Sequence, residues 1–159
     1  MFRADGEQRN RGIELSVFGQ PLEQLRVLGG LALLDAEMTR TQDGLFEGNT
    51  AVGSPDAQAN VNVEWNIAGV PGLTLDARAI VTSSQFAGAA NDLEVSSWTR
   101  FDMGTRYAMG MVGRPVAVRA RLDNVTDEND WVSVGGFPGA NYRVLGAPRT
   151  LVLSASVDL

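Results

Sequence analysis

The stretch VNVEWNIAGVPGLTLDARAIVTS, residues 61–83, holds two segments of alternating polarity around the turn sequence AGVPG. The apolar positions of the first segment are Val61, Val63, Trp65 and Ile67. Those of the second segment are Leu75, Ala77, Ala79 and Val81. A period of two residues is that of a strand, because successive side chains of a strand point to opposite faces of a sheet. The stretch therefore predicts an antiparallel β-hairpin with one apolar face.

The same period continues in both directions from this hairpin, so the sequence predicts an all-β fold. Seven antiparallel strands are expected, at about 11–19, 25–39, 57–68, 72–84, 95–110, 115–126 and 141–159. Most exceed the usual strand of about five or six residues, and they reach the roughly 9–11 residues that a tilted strand needs to cross a bilayer. No run approaches the ~18 apolar residues of a membrane-spanning helix.

The connections between the predicted strands alternate in length. Tight turns rich in Gly and Pro occupy 19–24, 68–72 and 110–115, whereas long polar segments occupy 40–56, 85–94 and 127–140. In an up-and-down meander this alternation places all short turns at one end of the sheet and all long loops at the other. Outer-membrane barrels have that arrangement, with short periplasmic turns and longer extracellular loops.

The two faces of the predicted sheet differ in polarity. One face of most strands is Val, Leu, Ile, Ala and Trp, which lipid tolerates, and the other carries charges that require a wet lumen. The charged side chains expected to face the lumen are Glu64, Asp76, Arg78, Arg100, Arg106, Arg119 and Arg121. The alternative for these residues is a solvated wall in which Arg and carboxylate side chains pair between neighbouring strands.

The composition removes most catalytic chemistry. The 159 residues include no Cys and no His, which excludes disulfides, thiolates, the usual zinc sites and imidazole triads. All 13 basic residues are Arg, and 19 acidic residues leave a net charge of −6, which disfavours a nucleic-acid partner. The acidic segment DNVTDEND (123–130) lacks the central Gly and the bidentate Glu of a calcium loop. We expect neither a metal, nor a cofactor, nor an enzyme.

Four longer motifs point to a family. They are GEQRNRGIELSVFG (6–19), LGGLALLDAEMT (28–39), LDNVTDENDW (122–131) and LGAPRTLVLSASVDL (145–159). Each resembles a segment of the TonB-dependent siderophore receptors, and together they follow the order of that family over nearly the whole chain. The resemblance implies that residues 1–159 are the C-terminal portion, about seven strands, of a 22-stranded transmembrane β-barrel in the outer membrane of a Gram-negative cell.

The resemblance also implies a function. A receptor of this family binds a ferric siderophore at its outer face and passes it inward when the TonB complex acts on a plug inside the barrel. The implied partners are the ferric siderophore, outer-membrane lipid, the plug and N-terminal strands of the same receptor, and the energy-coupling TonB complex. The lumen-facing charges would contact the plug or line the ligand route, and the plug, the TonB box and the signal peptide are expected outside this sequence.

The long loops supply the candidate ligand-binding residues. Aromatic and amide groups suit a flat polar ligand, and those in or beside 40–56 and 127–140 are Phe46, Asn49, Trp131, Phe137, Asn141 and Tyr142. The alternative for these residues is a set of mobile loops that touch no ligand. The alternative for the whole chain is a small self-contained β-barrel or β-sandwich that acts as a ligand-binding or structural membrane protein.

Overall fold

The computed structural model describes residues 6–111, 113–137 and 140–157, without the side chains of Met111, Gly136, Phe137 and Ala140. The strands are β1 (Glu7–Leu22), β2 (Leu25–Arg40), β3 (Ala57–Asn66), β4 (Leu73–Thr82), β5 (Gln85–Phe86), β6 (Glu94–Val95), β7 (Trp98–Met111), β8 (Arg114–Asp123), β9 (Trp131–Phe137), β10 (Ala140–Leu145) and β11 (Thr150–Val157). One 3-10 turn spans Gln42–Gly44. In the described part of the chain no helix is long and apolar enough to cross a membrane.

Seven of these strands form one antiparallel sheet, which we call the wall. Its order is β1-β2-β3-β4-β7-β8-β11, so each strand pairs with the next wall strand along the chain. The predicted all-β antiparallel meander of about seven strands is therefore confirmed. β1 and β11 are the two edges of the sheet, and the described residues do not close it into a small barrel or fold it into two layers.

The last predicted strand, 141–159, is wrong as a single strand. The structure divides it into β10 and β11, and Asp158 and Leu159 lie outside the described residues. The segment GAPR (146–149) interrupts the pairing: Pro148 has no N–H for a strand ladder, and the N–H of Gly146 turns away to donate to the carbonyl of Asp130 at 2.8 Å.

The predicted loop 127–140 is also wrong in part, because it contains strand β9. β9 pairs with β10 in a hairpin, with Tyr142 opposite Gly135. This hairpin belongs to a separate two-stranded sheet outside the wall. Short strands β5 and β6 likewise form a small sheet in and beside the predicted loop 85–94. The alternation of short and long connections nevertheless holds, because the connections between wall strands are 23–24, 67–72 and 112–113 at one end and 41–56, 83–97 and 124–149 at the other.

The register places most of the large apolar side chains of the wall on one face, with Phe18, Leu28 and Val152 among the exceptions on the other. Val61 of β3 lies opposite Gly29 of β2 and opposite Ala79 of β4, and Ala79 lies opposite Phe101 of β7. Other residues of the chain do not cover the large side chains of this apolar face. Ile13 of β1 and Leu153 of β11, both on this face, are 71% and 70% exposed. Trp65 and Tyr107, also on this face, lie toward the short-turn ends of β3 and β7. The apolar face of the wall is therefore exposed and could be buried only by atoms outside this chain.

The buried apolar residues lie instead among the long connections and the strand ends beside them. Among the described residues they are Ala36, Ala51, Ala87, Val95 and Val134. We call the three long connections, 41–56, 83–97 and 124–149, the rim. The core of the chain is small and joins the parts of the rim to one another.

Candidate functional site

The seven charged residues predicted to face a lumen share one face of the wall. Residues that oppose each other in an antiparallel register point to the same side of the sheet. Glu64 opposes Asp76, and Arg106 opposes Arg119. Gly104 lies between Asp76 and Arg121 in the register, and the remaining two residues, Arg78 and Arg100, are on β4 and β7 at positions of the same parity. We call this surface the polar face.

Charges of like sign are neighbours on part of the polar face. The carboxylates Glu64 and Asp76 are directly opposite, and so are the guanidinium groups of Arg106 and Arg119. Glu64 has Arg26 at 3.7 Å, and Arg106 donates to the Thr74 hydroxyl at 3.3 Å. Among the described residues, neither Arg106 nor Arg119 has a carboxylate within 4.0 Å. Both pairs line one cavity of about 390 Å³.

A second group of charges at the rim end of the wall is paired internally. The Asp102 side chain is only 1% exposed. Its carboxylate accepts hydrogen bonds from Arg100 Nε at 2.7 Å, from Arg121 Nη2 at 3.3 Å and from the backbone N–H of Asn124 at 2.9 Å. Arg121 also donates to Asp123 at 2.5 Å. Arg100 and Arg121, predicted to face a lumen, therefore act here as partners of two carboxylates on neighbouring strands.

The first two parts of the rim are tied together by asparagine side chains. Asn49 Nδ2 donates to the carbonyl of Ala89 at 2.9 Å. Asn91 accepts from the N–H of Thr50 at 2.8 Å and donates to the carbonyl of Thr50 at 3.0 Å. The predicted ligand-binding residue Asn49 thus has its amide occupied within the rim.

A close backbone approach joins the third part of the rim to the first two. Gly53 has φ +71, and a Cβ placed on it would overlap the carbonyl oxygen of Val134 in β9. Its N–H donates to the carbonyl of Phe86 at 3.0 Å. Val134 is buried with Ala87 and Val95. The rim is therefore one packed unit rather than three separate loops.

The hairpin of β9 and β10 carries two exposed aromatic groups of the rim. Trp131 is 40% exposed and Tyr142 is 54% exposed. The guanidinium of Arg143 lies over the Trp131 ring, 5.6 Å from its centroid, at a distance suited to a cation–π contact. The Tyr142 ring lies across Gly135, whose lack of a Cβ leaves it room. The hairpin presents two aromatic rings and a cation on one small element.

The other predicted ligand-binding residues are dispersed. Phe46, in the segment 41–56, is 44% exposed with φ +66, and Asn141 is exposed on β10. The side chain of Phe137 lies outside the described part of the chain. Arg143 and Asp102 were missed by the sequence reasoning. The sequence did contain a signal for Asp102. It lies two residues after Arg100 on one predicted strand, and Arg121 lies on the next predicted strand, so the three side chains could be expected to meet on one face.

The acidic segment after β8 is held by hydrogen bonds within the chain. No three His, Cys, Asp or Glu side chains of the described residues are grouped so as to hold a metal ion. Asp127 instead receives the N–H of Arg149 at 3.0 Å. Burial, with repulsion from the Glu128 carboxylate as a smaller cause, raises the pKa of Asp130 above its usual value.

These features define a class of protein. A single twisted sheet with an uncovered apolar face, a charged opposite face, short turns at one end and a packed rim at the other is the wall of a transmembrane β-barrel. The family model described as "TonB dependent receptor-like, beta-barrel" matches residues 1–125. The chain belongs to this family of TonB-dependent receptor barrels, whose members lie in the outer membrane of Gram-negative bacteria.

Individual relatives agree with the family. The ferrichrome receptor FcuA of Yersinia enterocolitica is 42% identical over 153 residues, which are 96% of this chain and 20% of FcuA. The ferrichrome outer membrane transporter/phage receptor of Escherichia coli is 30% identical over 95% of this chain and 20% of its own length. The crystal structure of BauA, the ferric preacinetobactin receptor of Acinetobacter baumannii, matches with a TM-score of 0.87 and 41% identity over 99% of this chain and 23% of BauA.

These matches bear on two of the predictions. The relatives are receptors and transporters, so the prediction that the chain is not an enzyme is confirmed, as is its localisation in the outer membrane. The chain spans about a fifth of the length of the relatives that it matches.

Proposed function

We propose that the chain is the C-terminal portion of the barrel of an outer-membrane receptor for TonB-dependent uptake of a ferric siderophore. The observation that carries this proposal is the pairing of a lipid-compatible wall with a packed rim of exposed aromatic groups, in a chain 42% identical to a ferrichrome receptor. In a complete barrel of this family, about 15 further strands would lie between β1 and β11 and close the cylinder.

The rim is the proposed siderophore-binding surface. Trp131, Tyr142 and Phe46 offer aromatic area, and Arg143 offers a cation to an anionic chelate. Because the parts of the rim pack on one another, this surface is preformed, which lowers the ordering cost of binding. The relatives support a siderophore as the ligand class, but they name two different ones, ferrichrome and preacinetobactin, at nearly equal identity.

The polar face is the proposed contact for the plug and for the ligand on its way inward. Like charges directly opposite each other destabilise a sheet, so the neighbouring pairs Glu64–Asp76 and Arg106–Arg119 favour a partner that supplies opposite charges. Energy coupling would then reach the barrel only through that plug and the TonB complex, both outside this chain.

A binding assay on the full-length receptor tests the proposal. The receptor, purified in detergent, is incubated with radioactive ferrichrome or ferric preacinetobactin, and bound iron is counted after filtration. We expect one of the two to bind, and Trp131→Ala to weaken that binding about tenfold or more, as the loss of a central aromatic contact does. Trp65→Ala is the control, because Trp65 is 54% exposed but lies on the apolar face near the short-turn end of β3. Failure of both chelates to bind, or equal affinity of Trp131→Ala and wild type, would overturn the proposal.

A further inference from the structure

Two segments that are far apart in the sequence meet where the third part of the rim leaves and rejoins the wall. The chain leaves at Asp123, at the end of β8, and returns at Thr150, at the start of β11. The Asn124 amide donates to the carbonyl of Ala147 at 3.1 Å. The Asp127 carboxylate accepts from the N–H of Arg149 at 3.0 Å and lies 3.5 Å from its guanidinium.

Asn124 suits this position in both backbone and side chain. Its φ is +53, a left-handed conformation that Asn tolerates better than most residues. Its amide is fully used, since Oδ1 accepts from the N–H of Glu128 at 2.9 Å and Nδ2 also donates to the Glu128 carbonyl at 2.8 Å. Asn124 is 2% exposed, so loss of these bonds would leave backbone groups unsatisfied in a buried place.

Asp102 links this junction to the wall. It lies on β7, one strand away from β8, and its buried carboxylate holds the N–H of Asn124 while two arginines neutralise it. A second backbone bond, from the N–H of Val125 to the carbonyl of Phe101 at 2.8 Å, fixes the same crossing. We call the set Asp102, Asn124, Asp127 and Arg149 the clasp.

We propose that Asp102 is a positioning residue that, through the clasp, fixes the base of the β9–β10 hairpin and so the orientation of its aromatic surface. Asp102 itself is placed in the wall and does not need to touch a ligand. The consequence for siderophore binding rests on the proposed function. The structural consequence does not, because it concerns only bonds within this chain.

Hydrogen exchange on the full-length receptor in detergent tests the structural part. We expect Asp102→Ala and Asn124→Gly to speed amide exchange in 124–149 about tenfold or more. Asp102→Ala removes the buried carboxylate that accepts the N–H of Asn124, and Asn124→Gly removes the side-chain bonds to Glu128 and Ala147. Exchange in β3 and β4 should stay unchanged. Glycine adopts a positive φ readily, so Asn124→Gly does not strain the backbone. Its effect on exchange therefore reports the loss of the Asn124 side-chain amide alone.

Asp35→Ala and Asp43→Gly serve as matched controls, for Asp102→Ala and for Asp127→Gly respectively. Asp35→Ala removes an exposed strand carboxylate that makes no ion pair among the described residues, and it should leave exchange in 124–149 unchanged. Asp127→Gly and Asp43→Gly both act at φ +58, and only Asp127→Gly should speed exchange in 124–149. Equal exchange of Asp102→Ala and wild type in that segment, or acceleration spread evenly over β3 and β4, would overturn the clasp.

Graded rescue and ligand affinity complete the test. Asp102→Asn keeps an oxygen for the N–H of Asn124 but no charge for the arginines, so its exchange should lie between those of wild type and Asp102→Ala. In the filtration assay above, Asp102→Ala should weaken chelate binding while total binding capacity is unchanged. If exchange accelerates but affinity does not change, the positioning role is overturned and the clasp is only structural. If wild type binds no chelate, the exchange result still decides the clasp.

Discussion

Val61→Arg tests which face of the wall meets lipid. Val61 is 42% exposed and lies between Gly29 and Ala79 in the register, with no polar side chain opposite. It is five residues from Asn66, the last residue of β3. At about 3.4 Å per residue and a tilt of about 40°, this separation corresponds to a depth of about 13 Å, which is the middle of an apolar band about 25 Å tall.

An arginine at mid-depth on the lipid face costs about 2–4 kcal/mol in barrel stability, which corresponds to a roughly 30- to 700-fold change in the folding equilibrium. Asn60→Arg is the matched control, because Asn60 is the adjacent residue, is exposed and points to the polar face. The assay is urea unfolding of the full-length receptor in phospholipid vesicles, followed by the heat-modifiable mobility of the folded barrel on gels. Val61→Arg should lower the urea midpoint clearly more than Asn60→Arg. Equal midpoints, or a larger loss for Asn60→Arg, would refute the assignment of the two faces.

Three further outcomes are expected. Gly53→Ala should speed exchange in 83–97 and β9 more than Gly44→Ala does in 41–56, since both have positive φ but only a Cβ at Gly53 meets Val134; equal effects would contradict the close approach. Because the pKa of Asp130 is raised on folding, its stabilising contribution is present below the ordinary carboxyl pKa and is lost as the pH rises through the raised value. Asp130→Asn should therefore flatten the dependence of exchange in 124–149 on pH above the ordinary carboxyl pKa, after correction for intrinsic rates, and an unchanged profile would count against it. The isolated chain should associate through the uncovered edges β1 and β11, whereas a monodisperse, detergent-free monomer on light scattering would contradict that.

The wall could be predicted from the sequence because its determinants are local. Alternation fixes which face each side chain takes, and the tight turn between β3 and β4 leaves one antiparallel pairing for the two strands. The register that results, such as Trp65 opposite Leu75, follows from the turn length once the strands are assigned. Mostly apolar side chains on one face and mostly polar ones on the other keep this pattern legible over most of the sheet.

The β9–β10 hairpin could not be predicted in the same way. Residues 140–145 alternate as the wall strands do, and nothing in that alternation tells whether a strand pairs with β8 or with a neighbour in its own loop. The choice depends on the turn around Gly146 and Pro148 and on the burial of Val134 against Ala87. Those contacts join residues far apart in the sequence, so the local pattern does not contain them.

The candidate ligand-binding residues could likewise be predicted only in part. Residue type alone marked Trp131 and Tyr142 as binding groups, and the structure leaves both exposed. Residue type also marked Asn49, whose amide instead bonds to Ala89. Amide groups serve loop packing and ligand binding equally well, so only the partner in the folded chain separates the two uses.

The contacts between the two ends of 124–149 are needed for the wall to continue from β8 to β11. Once the chain leaves β8, residues 124–149 must return it to the strand position beside β8, or β11 cannot pair with it. Asn124 and Asp127 hold Ala147 and Arg149 at that return point, and Asp102 anchors the same junction to β7. The entropy cost of closing a loop rises only slowly with the length of the loop. A long connection is therefore tolerated provided that its two ends are held together. The residues between the two ends are therefore free to suit a ligand. The residues that hold the two ends together are required for β11 to pair with β8.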